Sequence, residues 1–229
     1  MAMLSIDIAL TILCRITPAR YDLYLFCFDK TFGEPSFYVG RLFERYGWFR
    51  IVSTDVYELA TCAFLMLAAW YAMTQPIDEA KRMNRAILIS LMPAGFIYPL
   101  FPVSGPAYAF SGFPDVVPSQ VTPHALSLLS PPNGVPSIHM TLALILAYFS
   151  WRWPLGKLLG SLFVVFTLTS TLGLGEHYLF DLIVAVPYSA LAIYLSGVRE
   201  RQPAPKRTRG LRANPEGLIL GKSSPRPTV

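Results

Sequence analysis

The sequence predicts an all-helical bundle that sits in a lipid bilayer, and three observations predict it. The chain is 53% hydrophobic and only 14% charged over 229 residues, whereas soluble domains carry about 25% charged residues. Five apolar stretches follow one another between Val56 and Ser196, each close to the roughly 20 residues that cross a membrane. Lys and Arg are unevenly placed: eight of the 19 lie after Leu195, and none lies between Ser104 and Pro136. The net charge of +5 therefore belongs largely to one tail. It gives no ground for a nucleic-acid partner; membrane lipids are the expected surroundings.

Taken in order, Met1 to Cys14 is apolar but too short to cross alone, and it lacks the basic start and cleavage pattern of a signal peptide. Arg15 to Arg50 interleaves six basic and four acidic residues with aromatics, including Tyr24, Phe32, Tyr38 and Trp48. That mixture suits helices lying on a membrane surface. The expected spans are 56–73, 86–103 (broken by Pro93 and Pro99), 137–151, 158–174 and 178–196. Five spans result, or six if residues 1–14 extend into a helix. Residues 15–197 form one membrane-embedded domain, followed by a basic, Pro-rich tail over 198–229. That tail is expected to be disordered and drawn to anionic lipid. Cys14, Cys27 and Cys62 show no metal spacing and read as free thiols.

The basic loops set the orientation. Lys81, Arg82 and Arg85 precede the second span, Arg152 and Lys157 lie between the third and fourth, and the tail follows the fifth. By the positive-inside rule these are cytoplasmic, so segment 104–136 and the turn at 175–177 face outward. The six basic residues of 15–50 then fall on the outer side, against the rule. His139 opens the third span and His177 opens the fifth, so both lie at the outer face.

The stretch Gly175-Glu176-His177-Tyr178-Leu179-Phe180-Asp181 carries ionisable groups between apolar runs, where they are costly and mark a functional site. On a helix, His177 and Asp181 would be one turn apart on one face. A carboxylate there accepts from one ring nitrogen and leaves the other free to attack or to take a proton. A buried polar pair that merely steadies packing would look the same. Upstream, Pro131-Pro132-Asn133-Gly134-Val135-Pro136-Ser137-Ile138-His139 places Ser137 as a helix cap. The helix start offers N–H groups to an anion, with His139 beside it. His124, in the Pro-rich loop, has no partner at motif spacing and reads as a solvated loop residue.

Pro136-Ser137-Ile138-His139 resembles the second signature of the type 2 phosphatidic acid phosphatase superfamily, Pro-Ser-Gly-His. Ser170, Thr171, five residues, His177, three residues and Asp181 resemble the third, Ser-Arg, five residues, His, three residues, Asp. Gly175 to Asp181, with Phe101-Pro102-Val103-Ser104-Gly105-Pro106, is similar to a branch related to inositol phosphorylceramide synthases. The resemblance covers residues 15–197 and implies a metal-independent lipid phosphate phosphatase or phosphotransferase without a cofactor. In it, His177 attacks phosphorus to form a phosphohistidine, Asp181 orients His177, and His139 protonates the leaving oxygen. Ser137, Asn133, Glu176 and Thr171 are the further candidates around the phosphate.

The chain departs from the pattern in its cations. Thr171 stands where the third signature has Arg, Pro132 where the branch has Arg, and the first signature, Lys, six residues, Arg-Pro, has no match. A phosphate needs fixed positive groups. Three readings follow: Arg41, Arg45 or Arg50 supplies the charge, backbone N–H groups suffice, or the site is degraded and the protein is a non-catalytic membrane protein. A metal site built from His139, His177, Asp181 and Glu176 is a further rival, since those residue types suit zinc.

Overall fold

The computed structural model describes residues 20–117 and 132–198. The segment 1–14, Cys14, His124 and the tail beyond Val198 lie outside the described residues. Among those described the chain is all helical: α1 (Asp22–Lys30), α2 (Pro35–Arg45), α3 (Gly47–Thr74), α4 (Ile77–Leu100), the single turn α5 (Pro106–Ala109), α6 (Ile138–Ser150), α7 (Pro154–Gly173) and α8 (Leu179–Val198).

Local chemistry sets these boundaries. Pro35 and Pro154 open α2 and α7 at first-turn positions, where the missing N–H costs nothing and φ is already helical. Extended Gln75 and Pro76 part α3 from α4. Contrary to expectation, Pro93 and Pro99 do not break α4, which runs through both. Neighbouring helices can hold such a helix together where proline leaves carbonyls free, and α4 packs on α8, α6 and α3. α3 starts at Gly47, well before the expected span, and absorbs Trp48, Phe49 and Arg50.

Helices α6, α7 and α8 form the centre, with α4 against α8 and α3 along α7. Among the described residues two helices, Pro154–Gly173 and Leu179–Gly197, are long and apolar enough to cross a membrane, and Ile138–Ser150 is apolar but shorter. Only 28% and 33% of the two long windows is buried within the protein. Leu155, Leu158, Leu159, Leu162 and Val165 of α7 face outward, as do Ile183, Val186 and Leu191 of α8. So large an apolar exterior calls for a non-aqueous partner, and membrane association follows.

Helices α1 and α2 close one end of the bundle. Phe26, Phe37 and Phe110 pack there with Val103 and Tyr178; ring centroids are 5.7 Å apart for Phe26–Phe37 and 5.1 Å for Phe26–Phe110. Asp29 reaches from α1 to the start of α8, accepting from Leu179 N at 2.8 Å and Phe180 N at 3.3 Å. An N-cap supplied from another helix satisfies the same unpaired donors as a local one.

Burial pushes the Asp29 carboxyl up from 3.8 to about 6, with the Asp181 charge adding to it and the two N–H donors opposing. The folded chain thus holds this proton more tightly than the unfolded one. Its contribution to stability is full below pH 3.8 and is lost as pH rises to about 6. Asp29→Asn is expected to remove that fall from a plot of thermal midpoint against pH.

Candidate active site

His177 stands in the turn between α7 and α8. After α7 ends at Gly173, Gly175 takes φ +71 and reverses the chain. Glu176 N and His177 N then both donate to Thr171 O, at 3.0 and 3.4 Å, while Ser36 Oγ of α2 donates to His177 O at 3.3 Å. The His177–Asp181 contact therefore does not run along a helix face. Asp181 lies in the first turn of α8 and reaches back, accepting from Tyr178 N at 2.9 Å with the same Oδ2 that stands 3.3 Å from His177 Nδ1. This is half of a capping box, turned to hold an imidazole. Both side chains are buried, His177 at 4% exposed and Asp181 at 0%. When Asp181 is ionised its carboxylate only accepts; Nδ1 then carries the proton and Nε2 keeps its lone pair. Such a ring can act as a nucleophile or a base.

His139 occupies the first turn of α6. Ser137 caps that helix, its Oγ accepting from Met140 N at 3.4 Å. Tyr57 of α3 holds the ring, its hydroxyl 3.0 Å from Nδ1 and its ring centroid 4.3 Å from that of His139. A phenol can donate to a neutral imidazole and accept from a protonated one. It can therefore keep the ring in place through gain and loss of a proton. Beside them lies a cavity of about 10 Å³ lined by Tyr57, His139, Phe64, Phe163, Thr167 and Ser170, close to the space of one water. Ser170 Oγ is buried there with no hydrogen-bond partner among the described residues.

A short segment after α4 draws the two arms together. Val103 O accepts from Gly134 N at 2.8 Å, and a Cβ on Gly134 would stand 2.6 Å from Val103 Cγ1. Gly105, at φ +91, lies against the other arm: a Cβ there would stand 2.3 Å from Glu176 O. One turn deeper, Met140 of α6 packs with Leu172, Leu182 and Ala185. His177 lies close enough to His139 for its charge to reach that ring. Gly105→Ala is expected to cost about 2–4 kcal/mol, because the methyl meets backbone at a φ that only glycine adopts readily. Thermal unfolding measures the loss, and activity should fall with it, since Glu176 precedes His177.

The family model described as PAP2 superfamily matches residues 29–195, more than half of the chain and both histidine arms. The chain belongs to the PAP2 superfamily. No curated protein and no solved structure matches it. Membership places this PAP2 protein among phosphatases and phosphotransferases in general.

Asn133 is half-buried beside Gly134. Thr171 donates its hydroxyl to Thr167 O at 2.8 Å and Leu168 O at 3.1 Å, so what it gives the turn is its carbonyl. Glu176 Oε1 accepts from Tyr108 OH at 2.7 Å. Burial pushes the Glu176 carboxyl up, against the opposing pull of that hydroxyl and of His177. Arg41 donates to Pro114 O at 3.4 Å, Arg45 lies over the Tyr46 ring, and Arg50 pairs with exposed Glu44. These contacts carry none of the three to either histidine. Among the described residues no three His, Cys, Asp or Glu side chains gather as a metal-ligand group, so the four-residue zinc reading finds no cluster there. Cys27 is free and exposed.

Sequence reading missed Tyr57, Ser36 and Asp29. Each lies far from the motifs along the chain, and nothing in the surrounding aromatic and charged pattern sets it apart.

Proposed function

We propose that this PAP2 protein hydrolyses or transfers the phosphoryl or phosphodiester group of a lipid phosphate through a phosphohistidine at His177. The single observation that carries the reading is the buried His177–Asp181 pair, 3.3 Å apart, with the His139 ring in electrostatic reach. In the first step His177 Nε2 attacks phosphorus, the bond to the leaving oxygen breaks, and His139 supplies that oxygen's proton. Asp181 offsets the positive charge that develops on the attacking ring. In the second step water or an alcohol attacks phosphorus, His139 takes its proton, and the bond to Nε2 breaks.

The membrane setting belongs to the same proposal. Helices α3 and α4, of 28 and 24 residues, measure roughly 42 and 36 Å at 1.5 Å per residue. With α6, α7 and α8 they make five passes. The basic residues Lys81 to Arg85, in the first turns of α4, and Arg152 and Lys157, around the start of α7, support an extracytoplasmic histidine end by the positive-inside rule. A neutral acceptor such as inositol, by likeness to the inositol phosphorylceramide synthase branch, is the finer form of the reading.

The test is purified protein in lipid vesicles offered a panel of lipid phosphates, with and without a strong chelator and vanadate. Expected are chelator-resistant, vanadate-sensitive turnover and a phosphate label trapped on the protein. Turnover abolished by the chelator would favour metal chemistry, and inert protein on every substrate would favour a non-catalytic role.

A further inference from the structure

This PAP2 protein lacks cations where its signatures expect them, yet one guanidinium is held between its two histidine arms. Arg20 immediately precedes α1. Its Nη2 donates to Ser104 Oγ at 2.8 Å. Ser104 is 2% exposed and sits in the connecting segment described above. Val103 before it touches Gly134, which leads to His139. Gly105 after it touches Glu176, which leads to His177. The residue between those two contacts is the one that anchors Arg20.

The Arg20 side chain is only 10% exposed, and its Nε and Nη1 have no hydrogen-bond partner among the described residues. Burying a charged donor without a partner is costly. Asp22 answers only part of that cost. Its Oδ2 lies 3.6 Å from Arg20 Nε, beyond hydrogen-bond length, while its Oδ1 is taken by Ser104 N at 3.0 Å and Tyr178 OH at 3.2 Å. Two N–H donors on Nη1 remain unfilled. A buried guanidinium with donors to spare, anchored on the segment that joins the two histidine arms, suits a tetrahedral oxyanion.

We propose that Arg20, anchored on Ser104 between the His139 and His177 arms, donates through Nη1 to the phosphate group bound there and supplies the cation missing at Thr171 and Pro132. The inference rests on the reading of this end of the bundle as a phosphate site. Asp22 and Ser104 serve as positioning residues: Ser104 fixes Nη2, and the Asp22 carboxylate faces Nε at ion-pair distance. Tyr178 OH on Asp22 couples the same cluster to the residue that follows His177.

The test uses the full chain in lipid vesicles with inorganic orthovanadate and orthophosphate as probes, read as the anion concentration that gives half of the thermal stabilisation. Arg20→Gln, Arg20→Lys and Ser104→Ala are compared with the wild type and with Arg152→Gln, whose residue pairs with Glu79 elsewhere on the protein. Expected is a half-saturating concentration about 10- to 100-fold higher in Arg20→Gln. Smaller rises are expected in Arg20→Lys and Ser104→Ala, and none in Arg152→Gln. A purely structural Arg20 would lower the anion-free midpoint and leave the half-saturating concentration alone; that result overturns the inference. If Arg20→Gln fails to fold, wild-type anion affinity in both Arg20→Lys and Ser104→Ala overturns it equally. Should the wild type itself show no stabilisation by either anion, the phosphate-site reading fails, and this inference with it.

Discussion

Replacing His177 with Ala is expected to lower turnover of a lipid phosphate by about 10⁴-fold or more and to abolish the trapped phosphoprotein. The size follows from the part assigned to Nε2. Without it no covalent intermediate forms, and water must displace the leaving group directly. Structure should survive better than activity. The ring's polar contact is with Asp181 Oδ2, which keeps its bond from Tyr178 N, and Ser36 binds the residue-177 carbonyl rather than the ring. Quenched-label trapping beside a thermal melt separates the two effects. A variant that still accumulates label at wild-type level would transfer the nucleophile's role elsewhere.

Asp181→Asn is the second large effect, expected at about 10²–10⁴-fold in kcat with KM little changed. The amide can place its oxygen where Oδ2 lies and keep both bonds, to Tyr178 N and His177 Nδ1. It cannot keep the negative charge. That charge matters most when the imidazole carries phosphorus on Nε2 and is cationic, so its loss falls on the chemical step rather than on binding. The amide nitrogen would land where Oδ1 is already buried without a partner among the described residues, and some loss of stability should accompany the change. A KM that rises in proportion while kcat holds would instead make Asp181 a binding residue.

Much of this was legible in the sequence, for reasons that differ by residue. His139, His177 and Asp181 could be singled out as candidates because their motifs are short and their spacing is local, and because a charge beside apolar sequence stands out. Ser137 could be read as a cap because its oxygen serves an N–H three residues away. The helix from Ile77 through Pro93 and Pro99 could not, because tertiary packing overrides a residue's local preference. Nor could Tyr57, Ser36, Asp29 or Arg20. Their partners lie 82, 141, 150 and 84 positions away, and no periodicity links such pairs. The expectation that His177 sits on a helix was wrong by two positions. Asp181 reached it by folding back over the helix start, which preserves the contact but not the assumed geometry.

The clamp of Asp29 on Leu179 and Phe180 has a consequence for the order of synthesis. The carboxylate leaves the ribosome early, but the amides that satisfy it are made 150 positions later. Until α8 emerges, Asp29 and Asp22 await Leu179 and Tyr178, so a segment made well before α8 is settled only after it. A nascent chain arrested before residue 179 should leave residues 20–36 open to protease, and release of the next twenty residues should close them.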